Sequence, residues 1–370
     1  MQFDLNSAQG QLQIRARTFA NEVLAGRAAE RDRTSRFPVE EMAALADLKL
    51  LGINIPSVLG GSEAGVVAYA ACMEEIARAD ASVAVTMAVT NMVGEVICRF
   101  GSEDQKRRWV PELTSGRAVA GAFALSEPQA GSDPASMRTL ATKTKNGWRL
   151  DGTKQWITSG DRARLLIVWA RTDQGAGGKS ISTFVVGRDT RGLSVGKPED
   201  KMGLRGSSTV PLSFDGCEIE DQALLGNVGD GLKVALAALD GGRIGIGAQT
   251  LGIGRAAFEE SLSASKTRSE LSQHHQFALA DMSMELDAAR LLVWRAASLK
   301  ETAQPFSRQA SMAKLFASEA AGRAVSAALT IAGNQDNAAL HRYYRDARVT
   351  RIYEGTSEIQ RIVIGRALSR

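Results

Sequence analysis

The side chain with the clearest chemical potential in this sequence is a carboxylate near the C-terminal end. The stretch reads RIYEGTSEIQRI, and Glu354 stands between Tyr353 and Gly355, next to apolar Ile352. A carboxylate in such company is either a surface charge beside a core residue or a base kept away from water. In an apolar pocket its pKa rises, and it becomes a competent base at neutral pH.

Two other stretches carry groups suited to a flat ligand. ALSEPQAGSD places Ser126, Glu127, Gly131, Ser132 and Asp133 in a turn just after the apolar run GAFAL. Small hydroxyl residues and exposed backbone N–H groups there can receive a carbonyl-rich heterocycle or a phosphate. DGTKQWITSG puts Trp156 and Thr158 two apart, so both side chains project from one face of a strand. A large ring beside a hydroxyl can stack on and hydrogen-bond a flavin. An ordinary loop and a core tryptophan are the competing readings of these two stretches.

Composition narrows the class. A chain of 370 residues with 44% hydrophobic and 23% charged residues reads as a soluble globular protein of two or three domains. The net charge of +4 comes from basic residues interspersed with acids, which argues against a nucleic-acid binder. Cys72, Cys98 and Cys217 are too scattered for a disulfide framework, which predicts a reducing, cytoplasmic setting. His274, His275 and His341 form no metal-binding spacing, so no metal is expected. No run of eighteen apolar residues occurs, so no membrane span is expected, and the mixed-charge N-terminus reads as an amphipathic helix rather than a cleaved targeting segment.

The elements that must position these residues fall into three zones. Residues 1–116 are helical in period: VEEMAALADLKLLG follows Pro38, a pair of buried helices breaks near Asp80–Ser82, and a capped helix starts at Ser102 with Gln105 three residues on. Residues 117–223 alternate short β runs with turn residues and form an antiparallel β domain, sandwich or barrel, with Asn146–Gly147 as a two-residue hairpin turn. Residues 224–370 return to the helical period in three long runs rich in alanine and glycine, which fits a four-helix bundle. The fold class is therefore mainly α with a central antiparallel β domain. The glycines of RIGIGAQTLGIG lie inside a predicted long helix, so they serve close helix packing and not a dinucleotide-binding turn.

Taken together, ALSEPQAGSD, DGTKQWITSG, KMGLRGSSTVPLSFDGCEI, LDGGRIGIGAQTLGIGRAAFE, MAKLFASEAA and YRDARVTRIYEGTSEIQRIVIGRAL resemble the acyl-CoA dehydrogenase family, nearly end to end and in one order. The resemblance implies an enzyme that removes two hydrogens from an acyl-CoA thioester, uses FAD, and passes electrons to an electron-transfer flavoprotein. It implies an N-terminal helical domain, a β domain and a C-terminal bundle, assembled as a homotetramer, a dimer of dimers. By this likeness Glu354 is the catalytic base and Gly355 makes room for the thioester. Phe123, Leu125, Ser126, Gly131, Ser132, Trp156, Ile157 and Thr158 hold the flavin side of FAD, and Thr356 and Glu358 its diphosphate or adenosine side. Ser132 also contacts coenzyme A. Asp240 and Arg243 of LDGGR meet the substrate, with Arg243 pairing with and orienting the base. Some relatives place the base one position before that arginine, where this chain has Gly242.

Two stretches depart from the family's pattern. Where the family carries Arg-x-x-Phe-Gly, this chain has the shortened SKTRSELSQHHQF, in which Lys266 or Arg268 can supply a positive charge; where relatives show Gln-x-x-Gly-Gly-x-Gly, it has TIAGNQD, keeping only Gly333. Both fall on the adenosine diphosphate half of the cofactor. Two alternatives therefore stand beside the main reading: a dehydrogenase of carrier-protein-bound acyl groups, and a flavin-poor or non-oxidative subunit of a hetero-oligomer.

Overall fold

The computed structural model describes residues 5–172, 178–266, 272–333 and 337–369. Arg268 and Asn334–Asp336, where the sequence departs from the family, lie outside the described residues.

The first zone is helical. Helix α1 (Ser7–Phe19) begins at Asn6, whose side chain forms a capping box with Gln9, and a short π-helical turn leads into α2 (Ala25–Thr34). Helix α3 (Val39–Asp47) follows Pro38. The predicted break falls at Asp80, which ends α4 (Val66–Ala79) in an extended conformation and caps α5 (Ala81–Phe100) by accepting from the N–H groups of Ser82 and Val83. Helix α6 (Glu103–Thr114) starts with the expected Ser102–Gln105 capping box. Helix α5 has the length and hydropathy of a membrane-crossing helix, but it is packed inside the protein.

The strands are β1 (Gly121–Ala124), β2 (Leu140–Lys143), β3 (Gly147–Thr158), β4 (Leu165–Arg171), β5 (Ile181–Gly187), β6 (Leu193–Val195), β7 (Thr209–Glu220) and β8 (Leu224–Leu225). They run in the order β6-β7-β3-β2-β4-β5-β8, with β1 beside β4. Most pairs are antiparallel, as expected; β1–β4 and β2–β4 are parallel. The hairpin turn sits one residue earlier than its sequence signal. Thr144 N–H donates to Gly147 O at 2.9 Å, so Lys145 and Asn146 form the tip. Gly147 instead opens β3 against Glu220, where a Cβ would run into the Ile219 carbonyl.

The last zone holds α7 (Gly231–Lys266), α8 (Gln273–Glu301) and α9 (Ser307–Ala332), with the shorter α10 (Ala338–Val349) and α11 (Ser357–Leu368) lying on α9. At 36 residues, α7 is about 54 Å long. Its glycines do allow close approach: a Cβ on Gly245 would sit 2.5 Å from the Tyr69 hydroxyl, and one on Gly252 2.5 Å from the Glu74 carbonyl oxygen.

Hydrophobic burial welds the zones together. One cluster joins Val89, Met92 and Val93 of α5 to Trp169 of β4, Val234 of α7 and Ala324 of α9. A second joins Leu12, Tyr69 and Ile76 to Ile244, Val293 and Ala310. Helices from the two ends of the chain thus share cores, and α5 is held between the β domain and the bundle.

Candidate active site

Glu354 lies in the loop between α10 and α11, and that loop is pinned on every side except at the carboxyl group. Both Glu354 (φ 54) and Gly355 (φ 91) are left-handed, a strained state for a glutamate. Tyr353 donates to Gln249 Oε1, and Gln249 Nε2 in turn donates to Ala81 O at 2.8 Å. Gln360 Nε2 donates to the carbonyls of Glu354 and Gly355 at 3.2 and 2.9 Å. Lys314 Nζ, from α9, donates to the Gly355 carbonyl at 2.7 Å. Thr356 caps α11 by accepting from Ile359 N–H.

The carboxyl group itself is held by none of these bonds. Its Oε2 is buried and accepts no hydrogen bond among the described residues. A Cβ on Gly242 would lie 2.7 Å from that oxygen and 3.3 Å from Met92 Sδ. A side chain at 242 would therefore compete for the very space the carboxylate occupies, so the glycine there and the acid at 354 are a matched pair. Burial raises the pKa of Glu354 to about 7, with the charges of Arg243 and Lys314 offsetting part of the shift. Lys314 is itself buried, which lowers its pKa to about 8, with Glu354 opposing that shift.

The expectation that Arg243 pairs with the base requires correction. Arg243 Nη1 binds Asp240 Oδ1 at 2.5 Å and Ser311 Oγ at 3.3 Å. Asp240 also accepts from Ser307 Oγ at 2.8 Å. Among the described residues, no ion pair joins Arg243 or Lys314 to Glu354. Both cations act on the carboxylate through space. Removing one, as in Lys314→Met, is expected to raise the apparent pKa of Glu354, so that the alkaline rise of any rate depending on the carboxylate moves to higher pH. A pH–rate profile of the variant against the parent checks this; an unmoved profile contradicts it.

The second half of the site is the turn and strand singled out above. Lys154, fully buried on β3, donates to Leu125 O at 3.1 Å and to Glu127 Oε1 at 2.8 Å. Glu127 further accepts from the N–H groups of Arg138 and Thr139 at 2.6 and 3.0 Å. Burial alone would raise the Glu127 pKa, yet Lys154 and these donors hold it at about 2. Gln155 N–H donates to Ser126 O at 2.9 Å, which ties the turn to the strand. The register of β3 shifts between Lys154 and Ile157, and Trp156 sits in that bulge at φ 62. The result is an indole 60% exposed on an otherwise ordered strand.

These residues fit the isoalloxazine of FAD. An exposed tryptophan, half-buried Ser126 and Thr158, and Phe123 with its ring 4.2 Å from that of Trp169 offer an apolar wall with a polar rim. Phe123 and Tyr353 pack on the same cluster as Met92 and Leu125, which links the base to the ring wall through α5. Gly131 and Ser132 are exposed in the turn, and Glu358 is exposed in the first turn of α11. Ile157 needs correction: its side chain is 1% exposed within the sheet core, so only its main chain is available to a ligand. Leu125 is likewise buried, and its carbonyl is taken by Lys154. Gly333 ends α9, and Lys266 is the last residue of α7.

Sequence reasoning missed Lys314, Lys154, Gln360 and Tyr69. Lys314 left a readable signal, since it follows Ala310 and Ala313 and precedes Ala317 and Ala321 on the face that α9 buries. Tyr69 lines a cavity of about 320 Å³ together with Met92, Glu95, Gly241, Gly242 and Lys300. That cavity abuts Glu354 across Gly242. Met92, Glu95 and Val96 line it from α5.

Comparison with known proteins agrees with this geometry. Family profiles described as the acyl-CoA dehydrogenase N-terminal, middle and C-terminal domains match residues 6–117, 122–217 and 229–369. The chain is 43% identical to the short-chain specific acyl-CoA dehydrogenase of Mus musculus mitochondria, covering 99% of this chain and 91% of that one. It superposes on the butyryl-CoA dehydrogenase of Megasphaera elsdenii with a TM-score of 0.97 and 38% identity over the whole of both chains. A chain from a structure described as the electron transferring flavoprotein of Acidaminococcus fermentans gives a TM-score of 0.98 at 36% identity, again over both full lengths. With a poised carboxylate, a fitting ring wall and likeness along its entire length, the chain belongs to the acyl-CoA dehydrogenase family.

Proposed function

We propose that this protein oxidises a short-chain acyl-CoA thioester across its α and β carbons to the trans-2-enoyl-CoA, using FAD and passing the electrons to an electron-transfer flavoprotein. The observation that carries the reading is the Glu354 carboxyl, with Oε2 buried and without a partner among the described residues, and its pKa raised to about 7. Such a group abstracts a weakly acidic α-proton at neutral pH, because burial of Oε2 makes the charged form costly and raises its basicity, while the residue as a whole is only half-buried and so remains within reach of a substrate. FAD, when bound, supplies the acceptor that takes the β-hydrogen as hydride. Gly242 leaves room for the carboxyl of the base itself, and Gly355, where a Cβ would meet Gln360 Nε2, lets the loop turn tightly enough to hold it there rather than opening space for the thioester. Trp156, Phe123, Ser126, Thr158 and the main chain at Leu125 and Ile157 hold the ring. Gly131 and Ser132, with Thr356 and Glu358 at the start of α11, serve the phosphate-bearing parts of cofactor and coenzyme A. Asp240 and Arg243, locked to one another, form the wall behind the substrate.

The short-chain assignment draws on the named relatives and on a cavity of about 320 Å³, which is small among ligand sites. The electron-transfer partner draws on the family and on the likeness to the chain from the Acidaminococcus flavoprotein structure. Homotetramer assembly has support in α8, where Phe277, Met284 and Leu291 recur every seven residues and are 61%, 65% and 49% exposed. An apolar stripe of that kind marks a contact surface. A cytoplasmic setting accords with three unpaired cysteines.

Anaerobic addition of butyryl-CoA to the yellow holoprotein is expected to bleach the flavin within seconds, and electron-transfer flavoprotein should restore the colour. A flavin that stays oxidised with every short acyl-CoA would sink the reading.

A further inference from the structure

We propose that the cavity beside Glu354 selects a short acyl group whose tail ends in a neutral polar group, a hydroxyl first of all, over the equally long alkyl chain. This inference rests on the acyl-CoA reading and names the substrate class that the site takes.

The cavity has two unlike ends. A Cβ on Gly242 would meet Glu354 Oε2, and a Cβ on the preceding Gly241 would lie 2.9 Å from Lys300 Nζ. The base and the ammonium thus flank one dipeptide of α7, and a substrate held at the base sends its tail toward Lys300. Lys300 does not stand alone there. Its Nζ binds Glu95 Oε2 at 2.5 Å, and the other Glu95 oxygen accepts from Asn54 Nδ2 at 2.6 Å. The pair is about three-quarters buried, with side chains 20% and 26% exposed. Glu95 lies one helical turn beyond Met92 on α5, so the same face carries the apolar wall near the base and the charged wall at the far end.

A matched ion pair offers little to an ionised tail. A carboxylate would meet Glu95, and an ammonium would meet Lys300. The group left open is neutral. Tyr69 is 5% exposed, lines the cavity, and its hydroxyl makes no hydrogen bond among the described residues. Asn54, another lining residue, commits its Nδ2 to Glu95, and its Oδ1 is closed off from the cavity. An alkyl tail that displaces water from this end leaves the tyrosine hydroxyl without a partner, which is costly for a buried polar group. A tail hydroxyl can accept from the tyrosine, and a site that hydrogen-bonds a substrate hydroxyl discriminates against the analogue lacking it.

The test is calorimetric titration of the FAD-loaded Glu354→Gln protein, in which thioesters bind without being consumed. Two isosteric pairs are compared: 4-hydroxybutyryl-CoA with pentanoyl-CoA, and 5-hydroxypentanoyl-CoA with hexanoyl-CoA. The hydroxyacyl member is expected to bind at least ~10-fold tighter in one pair, and adding Tyr69→Phe should pull that ratio toward one. Equal or weaker binding of both hydroxyacyl thioesters overturns the inference, whatever butyryl-CoA does to the flavin. Conversely, a clear hydroxyacyl preference in a protein whose flavin no acyl-CoA bleaches would uphold the tail site and remove the dehydrogenase reading.

Discussion

Glu354→Gln slows reduction of the flavin by acyl-CoA at least ~10²-fold, the usual size of effect for losing a positioned base. The amide keeps the shape of the side chain and removes its basicity. The fold should hardly notice, because the bonds that fix this loop go to main-chain carbonyls from Gln360 and Lys314, and Oε2 has no partner to lose. Replacing a buried acid by a neutral amide also removes a desolvation cost. The visible flavin spectrum and the melting temperature should therefore match the parent, while anaerobic stopped-flow bleaching falls away. Comparable bleaching rates in the two proteins would remove the assignment of Glu354.

Lys154→Met should destabilise the protein by about 3–5 kcal/mol, the range for removing one partner of a buried ion pair. Lys154 and Glu127 have side chains 0% and 2% exposed. Without the ammonium, Glu127 is a buried carboxylate left with only neutral donors, the Arg138 and Thr139 N–H groups and Gln129 Nε2, and the Leu125 carbonyl loses a donor. The damage falls on the turn that carries Ser126, so FAD should dissociate more readily on gel filtration as well. A double variant, Lys154→Met with Glu127→Gln, should recover part of the loss, since no charge is then stranded. The pH dependence has a definite sign. The folded value for Glu127, about 2, lies below its ordinary 4.5. Its contribution is present above about pH 4.5 and drains away as pH falls toward 2. Acid unfolding curves of parent and variant should converge across that window. A variant as stable as the parent at neutral pH would show that the pair contributes nothing.

Local chemistry made much of this fold legible. Asp80 and Ser102 mark helix starts because their oxygens satisfy N–H groups only a few residues away. Trp156 is exposed, but from a bulge at φ 62 rather than by simple strand alternation, and Thr158 is half-buried. Lys154 is nevertheless buried three residues from buried Ile157, because a bulge intervenes that alternation cannot foresee. Gly147 carried a turn signal but is spent on close strand pairing. The least legible features are contacts between distant segments. The match of Gly242 to Glu354, the Lys314 bond to Gly355 and the Lys154–Glu127 pair each depend on packing that no short window contains. Arg243 shows the opposite failure: proximity to the base was inferred correctly, but Asp240 and Ser311 take its donors.

The raised pKa of Glu354 is open to direct observation. Infrared difference spectra between the parent and Glu354→Gln holoproteins, recorded from about pH 4 to about pH 9, isolate the carbonyl stretch of one protonated carboxyl group. That band should persist through mildly acidic solution and vanish with a midpoint near 7. Loss of the band near the ordinary glutamate value of 4.5 would mean that water reaches the side chain, and the proposed proton acceptor would have no basis.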